Sequence, residues 1–418
     1  MTRLFAASLL SATLCTPVLA AEPAEVLSHY ADMAAATYGD SLTAAKTLQA
    51  AVSALIATPS DTTLQAAKAA WIAARAPYQQ TEAFRFANPV VDDWEGRVNS
   101  WPLDEGLIDY VATGSAVNEE NDLATLNVIA TPTFTLSGAE VDATTITPAL
   151  ISGSLHEAGG IEANVASGYH AIEFMLWGQD LNGTGPGAGA RPFTDYAQGA
   201  GCTNGNCDRR AAYLQAATDL LVSDLDYIVA QWADDGAARK VVTTDPQTGL
   251  LAMLTGMGSL SYGELAGERM KLGLMLNDPE EEQDCFSDNT HNSHYFDGVG
   301  IRNVYTGSYT RMDGTTLAGP SLSDLVAAAD PAVDMQLKAE LDASVAALMA
   351  VKTAAAGGLA YDQMLEAGNA TGEALIMGAV DALVTQTASI ERAVTALGLS
   401  KPDFEGSESL DNPDAIFQ

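Results

Sequence analysis

Apolar residues recur every three or four positions over most of the chain, and this period predicts α-helices rather than strands. The first repeat covers residues 25–57 and is rich in alanine. Ser60 or Asp61 then offers an N-cap for a second helix, because either side chain can accept a hydrogen bond from a free backbone amide. Later repeats predict helices over residues 168–178, 213–232, 249–277, 321–351 and 371–397.

The segments between these repeats contain few strand signals. Residues 133–136 alternate polar and apolar side chains ahead of a Ser-Gly pair, which indicates a small β-hairpin. Residues 88–106 combine aromatic side chains, carboxylates and proline, and we expect an irregular segment there. Residues 299–307 favour a short helix or a turn. Residues 180–184 faintly resemble a calcium loop but lack its distal glutamate, so we interpret them as a turn.

The predicted fold is therefore all-α, with two antiparallel helical-bundle domains and the small hairpin in the first. A chain of 418 residues is longer than a single core usually serves, which favours two domains. We expect a leader at residues 1–20, an N-terminal bundle over 21–190, a C-terminal bundle over 191–400 and a flexible acidic tail over 401–418.

The first twenty residues have the features of a secretory signal peptide. A single early arginine precedes a short apolar core, and small residues lead up to a cleavage point after Ala20. No later segment offers about 18 uninterrupted apolar residues, so we expect no transmembrane segment. The sequence thus predicts a soluble, exported protein.

The chain is strongly acidic, with 54 Asp and Glu residues against 19 Lys and Arg and a formal net charge of −35. This charge repels phosphate backbones and argues against a nucleic-acid partner. Two interpretations of the acidity stay open. It solvates the surface, as in a salty habitat, or it concentrates cations near the protein.

Cysteine spacing predicts one local disulfide. Cys202 and Cys207 flank a tight, glycine-containing loop, and an exported protein meets oxidising conditions. A zinc knuckle would need a second pair of ligands nearby, and the sequence offers none. Cys285 is then left over, and we expect a free, buried thiol.

His170 and Glu173 are the first candidates for a metal site. Three residues apart on the predicted helix, they lie on one face. Their neighbours are apolar, so Glu173 is expected to be buried and to need a partner charge, a proton or a metal. The alternative is a hydrogen-bonded pair without metal. The chain has only five histidines, and His291 and His294 lie in a second polar cluster, which invites the hypothesis that the two clusters converge.

With these motifs the chain resembles the imelysin family, including the imelysin-like iron-regulated proteins of bacterial envelopes. The segments that support the resemblance are GYHAIEFMLWGQD, which contains the GxHxxE signature, RAPYQQTEAFRF, WPLDEGLIDY, FSDNTH and SIERAVTALGL. The signature alone is a weak signal. Five segments in family order, spread over nearly the whole chain after the leader, are a specific one.

The resemblance implies a periplasmic or outer-membrane-associated protein of two helical domains with a metal site in a pocket between them. The signature places His170 and Glu173 at the metal. The other matching segments add further candidate ligands and pocket-lining residues. The candidate ligands are Glu82, Asp288 and His291, and the candidate lining residues are Arg85, Asp104 and Ser287.

Three functions follow from this set. The first is a metal-binding protein in bacterial iron acquisition, because an imidazole with carboxylates suits iron, with zinc as a second candidate. Its partners would be a metal ion or small metal chelate and other envelope components of iron uptake. The second is a metallopeptidase, which needs a general base besides the ligands, and Glu82 is the obvious candidate. The third is a metal-free scaffold in which His170 and Glu173 only hydrogen-bond.

Overall fold

The computed structural model describes residues 21–112 and 121–417, so the predicted leader lies outside the described part of the chain. Helices dominate it, which confirms the all-α prediction. The α-helices are α1 (Pro23–Ala57), α2 (Asp61–Gln79), α3 (Pro89–Asn99), α4 (Pro148–Leu150), α5 (Gly168–Trp177), α6 (Cys207–Gln231), α7 (Ala237–Thr243), α8 (Pro246–Ser259), α9 (Gly273–Leu276), α10 (Thr290–Thr306), α11 (Leu322–Ala329), α12 (Pro331–Ala356), α13 (Tyr361–Leu365), α14 (Ala370–Ala396) and α15 (Glu408–Asp411).

Other regular structure is short. π-Helical turns follow α4 and α8, over Ile151–Leu155 and Leu260–Leu272. The second of these joins α8 to α9 as one long rod, close to the predicted helix over 249–277. Turns of 3-10 helix lie at Glu82–Phe84, Glu105–Leu107, Ala158–Gly160, Phe193–Tyr196, Gly199–Gly201, Pro279–Glu281 and Pro413–Phe417.

Two antiparallel hairpins complete the described residues. β1 (Thr133–Leu136) pairs with β2 (Ala139–Asp142), which confirms the predicted hairpin. β3 (Ser308–Thr310) pairs with β4 (Thr316–Ala318). The second hairpin was not predicted, because strands of three residues are too short to show an alternating pattern.

Helix ends follow the local chemistry of the sequence. Ser60 caps α2 by accepting a hydrogen bond from the Thr63 amide, as expected. Ser321 and Asp324 form the predicted capping box at the start of α11. The expected single helix over 321–351 is wrong, because Pro331 has no amide proton and begins a new helix that Asp330 caps.

Two helical segments were missed in the sequence. The stretch 88–106, expected to be irregular, contains α3, whose proline occupies the first helical turn where its missing amide proton is harmless. The polar cluster before residue 299, for which the sequence predicts no helix, is also helical from Thr290, and the short helix or turn predicted over 299–307 is the end of the same helix α10. In both places polar and aromatic side chains obscured the helical period.

The first bundle is organised around α1, which packs against α2 and α6. Aromatic rings fill the space between these helices, and Tyr38 stacks on Trp232 while meeting Trp94 edge to face. The helix α6 also packs on α5. The two-domain division is still a proposal, and this packing would place its boundary beyond α6 rather than at residue 190.

The second bundle is built from the π-helical rod, α10, α12 and α14. The helices α12 and α14 pack together, α10 packs on α12, and α14 packs on the rod. The helix α10 also contacts α2 of the first bundle. It therefore links the two sets of helices directly and brings the segment before it, residues 279–289, to their junction.

The cysteines behave nearly as the sequence predicts. Cys202 and Cys207 form a disulfide. Cys285 is free and only partly buried, rather than fully buried as expected. Within the described ranges, no helix combines the length and apolarity that a membrane span requires.

Residues 404–411, part of the predicted flexible tail, lie against the rod in this structure. Glycines leave a groove there, since an added Cβ at Gly263 would approach the backbone oxygen of Glu405 to 2.5 Å. The hydroxyl of Ser409 is buried and donates to the carbonyl of Gly267. The segment packs because the rod presents backbone rather than side chains along this face.

We predict that Gly263→Ala destabilises the protein by about 1–3 kcal/mol, because the new methyl group overlaps the tail backbone. Urea unfolding measures the loss, and limited proteolysis reports release of the tail. Gly378→Ala on α14 is the matched control. Nothing lies within 4 Å of its added Cβ, so a gain of about 0.5–1 kcal/mol is expected. Equal effects of the two substitutions would contradict the packed tail.

Candidate metal centre

The helix α5 places His170 and Glu173 in the interior of the protein. All ten of its residues are buried. Its first residue, Gly168, has φ +80°, and an added Cβ would lie 2.4 Å from the carbonyl oxygen of Val98. Only glycine accepts both conditions, so α5 begins directly against the end of α3. The predicted helix and its buried polar pair are thus observed.

A third ligand-type side chain joins this pair. Nδ1 of His170 lies 3.1 Å from Oε2 of Glu173 and 3.9 Å from Oδ1 of Asp284. One ligand atom from each residue lies within 4.8 Å of the other two. A single metal ion with ligand distances of about 2.0–2.6 Å can span such a set. Asp284 comes from the segment before α10, so the group joins two distant parts of the chain.

Both carboxylates are held by hydrogen bonds from the same segment. The backbone amide of Ser287 donates to Oε1 of Glu173 at 3.0 Å, and its hydroxyl donates to the same atom at 2.6 Å. The side chains of Asn289 and Ser293 donate to Oδ2 of Asp284. Partners of this kind fix the orientation of metal ligands. Ser287 is therefore in contact with the group, as its predicted place in the pocket requires.

One arginine provides the positive charge beside the group. The Arg75 guanidinium, 1% exposed, donates to Oδ1 of Asp284 at 2.8 Å and to Asn99 at 2.7 Å. It also lies over the ring of Tyr169, with 5.0 Å to the centroid. Glu173 and Asp284 thus have one buried cation between them, so one carboxylate has no positive charge to balance it.

The pKa shifts indicate which of these groups is charged and which is neutral. Burial and the nearby Arg75 charge lower the pKa of His170 to about 3, so its imidazole is neutral. Burial raises the pKa of Asp284, but Arg75, His170 and the hydrogen bonds from Ser293 and Asn289 together lower it more, and the net pKa is below its usual value. Burial and the charge of Asp284 raise the pKa of Glu173 well above its usual range. Glu173 therefore holds a proton or meets a cation.

The chemistry of the group fits a metal ion. Neutral imidazole has the lone pair that coordinates metals, and carboxylates supply negative oxygen ligands. Within the described residues, Nε2 of His170 is buried and has no hydrogen-bond partner. An unsatisfied buried nitrogen is unfavourable, so it favours a ligand or water at Nε2, on a different edge of the ring from Nδ1, which faces Glu173 and Asp284.

A cavity of about 330 Å³ reaches His170. Asp104 lies in its wall, together with Glu105 and Glu280. Burial raises the pKa of Glu105, and burial with neighbouring carboxylates raises that of Glu280 to about 7. The wall is acidic, so the cavity attracts cations towards the histidine.

Glu82 and Arg85 belong to a different network. Oε2 of Glu82 accepts a hydrogen bond of 2.7 Å from Arg269, which also contacts Glu264 and Asp297. The structure does not bring Glu82 into the ligand group, because its carboxylate is outside the 4.8 Å set. Arg85 pairs with Asp92 at 2.8 Å and does not offset charge at Glu173.

Asp288 and His291 are also outside the group. Asp288 clusters with two other aspartates, Asp180 and Asp362. Nε2 of His291 lies 3.1 Å from the side-chain amide of Asn292. Burial is the main reason that the pKa of His291 is lowered to about 4. The FSDNTH segment does reach α5, but through Ser287 rather than through the two predicted ligands.

Sequence reasoning missed Asp284 and Arg75. Asp284 stands at the end of an acidic stretch that looks like a solvated turn. Arg75 left one signal, since it occupies an apolar stripe of α2 between Trp71 and Tyr78. A lone charge in such a stripe indicates a buried partner.

Together, the fold and this group define a helical protein with a buried histidine–carboxylate group between α5 and the segment before α10. The Imelysin family model matches residues 34–390, so the chain belongs to the imelysin family. No curated protein matches the chain.

Two solved structures share the fold. The first, from Parabacteroides distasonis ATCC 8503, is provisionally described as an iron-regulated protein A precursor. It has a TM-score of 0.64 and 20% identity, over 90% of this chain and 95% of that chain. The second is an imelysin-like protein from Psychrobacter arcticum 273-4. It has a TM-score of 0.55 and 15% identity, over 91% of this chain and 98% of that chain.

We predict that Arg75→Leu lowers the free energy of unfolding by about 3–5 kcal/mol, because it leaves the Asp284 charge buried without its cation. Adding Asp284→Asn should recover part of the loss, since it removes that charge. Urea unfolding measures both. The control is Arg302→Leu, whose partner Asp342 is 61% exposed, and an effect below about 1 kcal/mol is expected. If Arg75→Leu is no worse than the control, the proposed charge pairing is wrong.

Proposed function

We propose that this chain is an exported metal-binding protein of bacterial iron acquisition. His170, Glu173 and Asp284 would hold the metal where the two bundles meet. The buried group of these three residues is the observation that supports the proposal most directly. The proposal keeps the two signature residues and replaces Glu82, Asp288 and His291 with Asp284.

Iron is the metal that we propose, with zinc as the second candidate. One imidazole and two carboxylates suit iron, manganese and zinc about equally by ligand type. The provisional description of the Parabacteroides protein as iron-regulated supports iron among these. When bound, the metal would supply the positive charge that Glu173 lacks, and Arg75 would continue to balance Asp284.

The cavity supports delivery of the metal as a free ion or a small chelate. Its volume of about 330 Å³ is at the lower end of small-molecule sites. Its acidic wall favours cationic over anionic cargo. Other envelope components of iron uptake would be the partners that supply or receive the metal.

Export to the periplasm or the outer membrane is part of the proposal. The leader pattern of residues 1–20 supports it at the level of sequence. The Cys202–Cys207 disulfide supports it independently, since disulfides persist in oxidising compartments.

The geometry favours metal binding over peptide hydrolysis. Hydrolysis needs a carboxylate free to take a proton from a metal-bound water. Glu82, the candidate base, is bound to the Arg269 guanidinium instead. Glu173 accepts two hydrogen bonds from Ser287, which suits an oriented ligand better than a proton acceptor.

Metal affinity tests the ligand assignment. We predict that His170→Ala, Glu173→Gln and Asp284→Asn each weaken iron or zinc binding by more than about 100-fold, since loss of a mere outer partner already costs about 10–100-fold. Isothermal titration and metal analysis of protein purified without chelator measure the effect. Glu82→Gln is the informative control and should bind nearly as the unsubstituted protein does. Loss of binding in Glu82→Gln alone would reject the revised ligand set.

Incubation with an unfolded protein substrate separates the two functions. We expect no cleavage that depends on a bound metal, because Glu82, the candidate base, is bound to Arg269, and Glu173 accepts two hydrogen bonds from Ser287. Mass spectrometry of the substrate, with and without a chelator, provides the measurement. Chelator-sensitive cleavage that disappears in both Glu173→Gln and Glu82→Gln would establish the peptidase instead.

A further inference from the structure

A second group of acidic side chains lies beside the first and is made from three separate segments. Asp180 follows α5, Asp288 precedes α10, and Asp362 lies in α13. One carboxylate oxygen from each lies within 4.8 Å of the other two. Nothing in the function proposed above uses these residues as a group.

Two of the carboxylates in this region are buried without compensation. Asp362 is 2% exposed and Glu282 is 1% exposed. Neither oxygen of either side chain has a hydrogen-bond partner among the residues that the structure describes. A buried carboxylate of this kind is strongly unfavourable unless a proton or a cation accompanies it.

The charges around the three aspartates add to the cost of burying these carboxylates. In the described ranges, none of the three aspartates forms an ion pair with lysine or arginine. Burial and the charges of Asp362 and Asp180 raise the pKa of Asp288 to about 7. Burial is also the main cause that raises the pKa of Asp362 to about 6. The carboxylates thus repel one another, and a cation placed between them would relieve the repulsion.

A small cavity lies beside Asp180 and Asp362, although Asp288 does not line it. This cavity of about 10 Å³ is bordered by Asp180, Glu280, Glu282 and Asp362. This volume is close to the minimum that holds one water molecule. It therefore fits a single ion or water and excludes a larger ligand.

We propose that Asp180, Asp288 and Asp362 bind a calcium ion, with Glu282 as a further candidate ligand. These four side chains all offer carboxylate oxygens, which hard cations prefer. Calcium takes six to eight such ligands at about 2.3–2.6 Å in flexible geometry, whereas magnesium needs a tight octahedron. Oxygens up to 4.8 Å apart, drawn from three segments, suit the larger ion. Residues 180–184, a turn by sequence, would supply the first ligand.

The calcium site would be distinct from the histidine centre but connected to it through the chain. It contains no imidazole. Asp288 directly follows Ser287, which holds Glu173, and Asp180 lies shortly after α5. Bound calcium would therefore fix the three segments relative to one another without occupying the first site.

The inference is tested by titrating calcium into the chain without residues 1–20, after a chelator has removed any bound metal. Isothermal titration should show one calcium ion per chain, and calcium should raise the melting temperature. Terbium luminescence provides a second readout of the same site. Asp362→Asn and Asp180→Asn should each weaken calcium binding at least 10-fold. The controls His170→Ala and Asp226→Asn, the latter an exposed residue of α6, should leave it unchanged.

A measurement in chelator guards against a merely structural effect. Without calcium, Asp362→Asn should melt at or above the temperature of the unsubstituted chain, because it removes a buried charge, and calcium should no longer raise that temperature. If this variant does not fold, Asp180→Asn decides, since Asp180 is only partly buried. The inference is overturned if calcium does not bind, if it binds equally well to both Asn variants, if His170→Ala abolishes it, or if magnesium binds more tightly.

Discussion

The buried pair of carboxylates Glu173 and Asp284 is the constraint on which the candidate site depends. Among the described residues that contact this pair, Arg75 is the one lysine or arginine, and it pairs with Asp284. Apolar packing around α5 cannot remove this charge, because a carboxylate without water needs a specific counterpart. The hydrogen bonds of Ser287, Asn289 and Ser293 orient the two acids but add no positive charge. Glu173 therefore needs a proton or a cation, and this need is the physical basis of the proposed metal site.

Local features of the fold were predictable, and long-range ones were not. The long periods of α1, α6 and α14 were visible because many residues repeat the same spacing. Pro331 is a sequence signal for the break between α11 and α12, but the apolar pattern on both sides of it concealed the break. The hairpin β3–β4 has strands too short for any pattern. The association of α6 with the first bundle depends on tertiary packing, which no window of sequence contains.

The same distinction explains the candidate site. His170 and Glu173 could be paired from the sequence because three residues on a helix fix their relation. Only the fold brings Asp284 and Arg75 to this pair. Asp284 is more than a hundred residues away in sequence from both His170 and Arg75. The FSDNTH segment was correctly linked to this region, but its nearest contact is Ser287. Asp288, which was predicted as a ligand, lies in the neighbouring acidic group instead. Polar residues of one short segment therefore belong to two different groups.

The groove along the π-helical rod limits where the chain can be cut. Residues 404–411 cover the part of the rod where glycines have no side chain. Ser409 donates a hydrogen bond to the carbonyl of Gly267, which would otherwise face the groove without a partner. A shortened protein ending near residue 400 would look complete by the helical pattern, since α14 ends at Ala396. It would nevertheless expose an apolar, hydrogen-bonding trough on the second bundle. Aggregation through that trough is then the expected behaviour of such a fragment, although every helix of the bundle is intact.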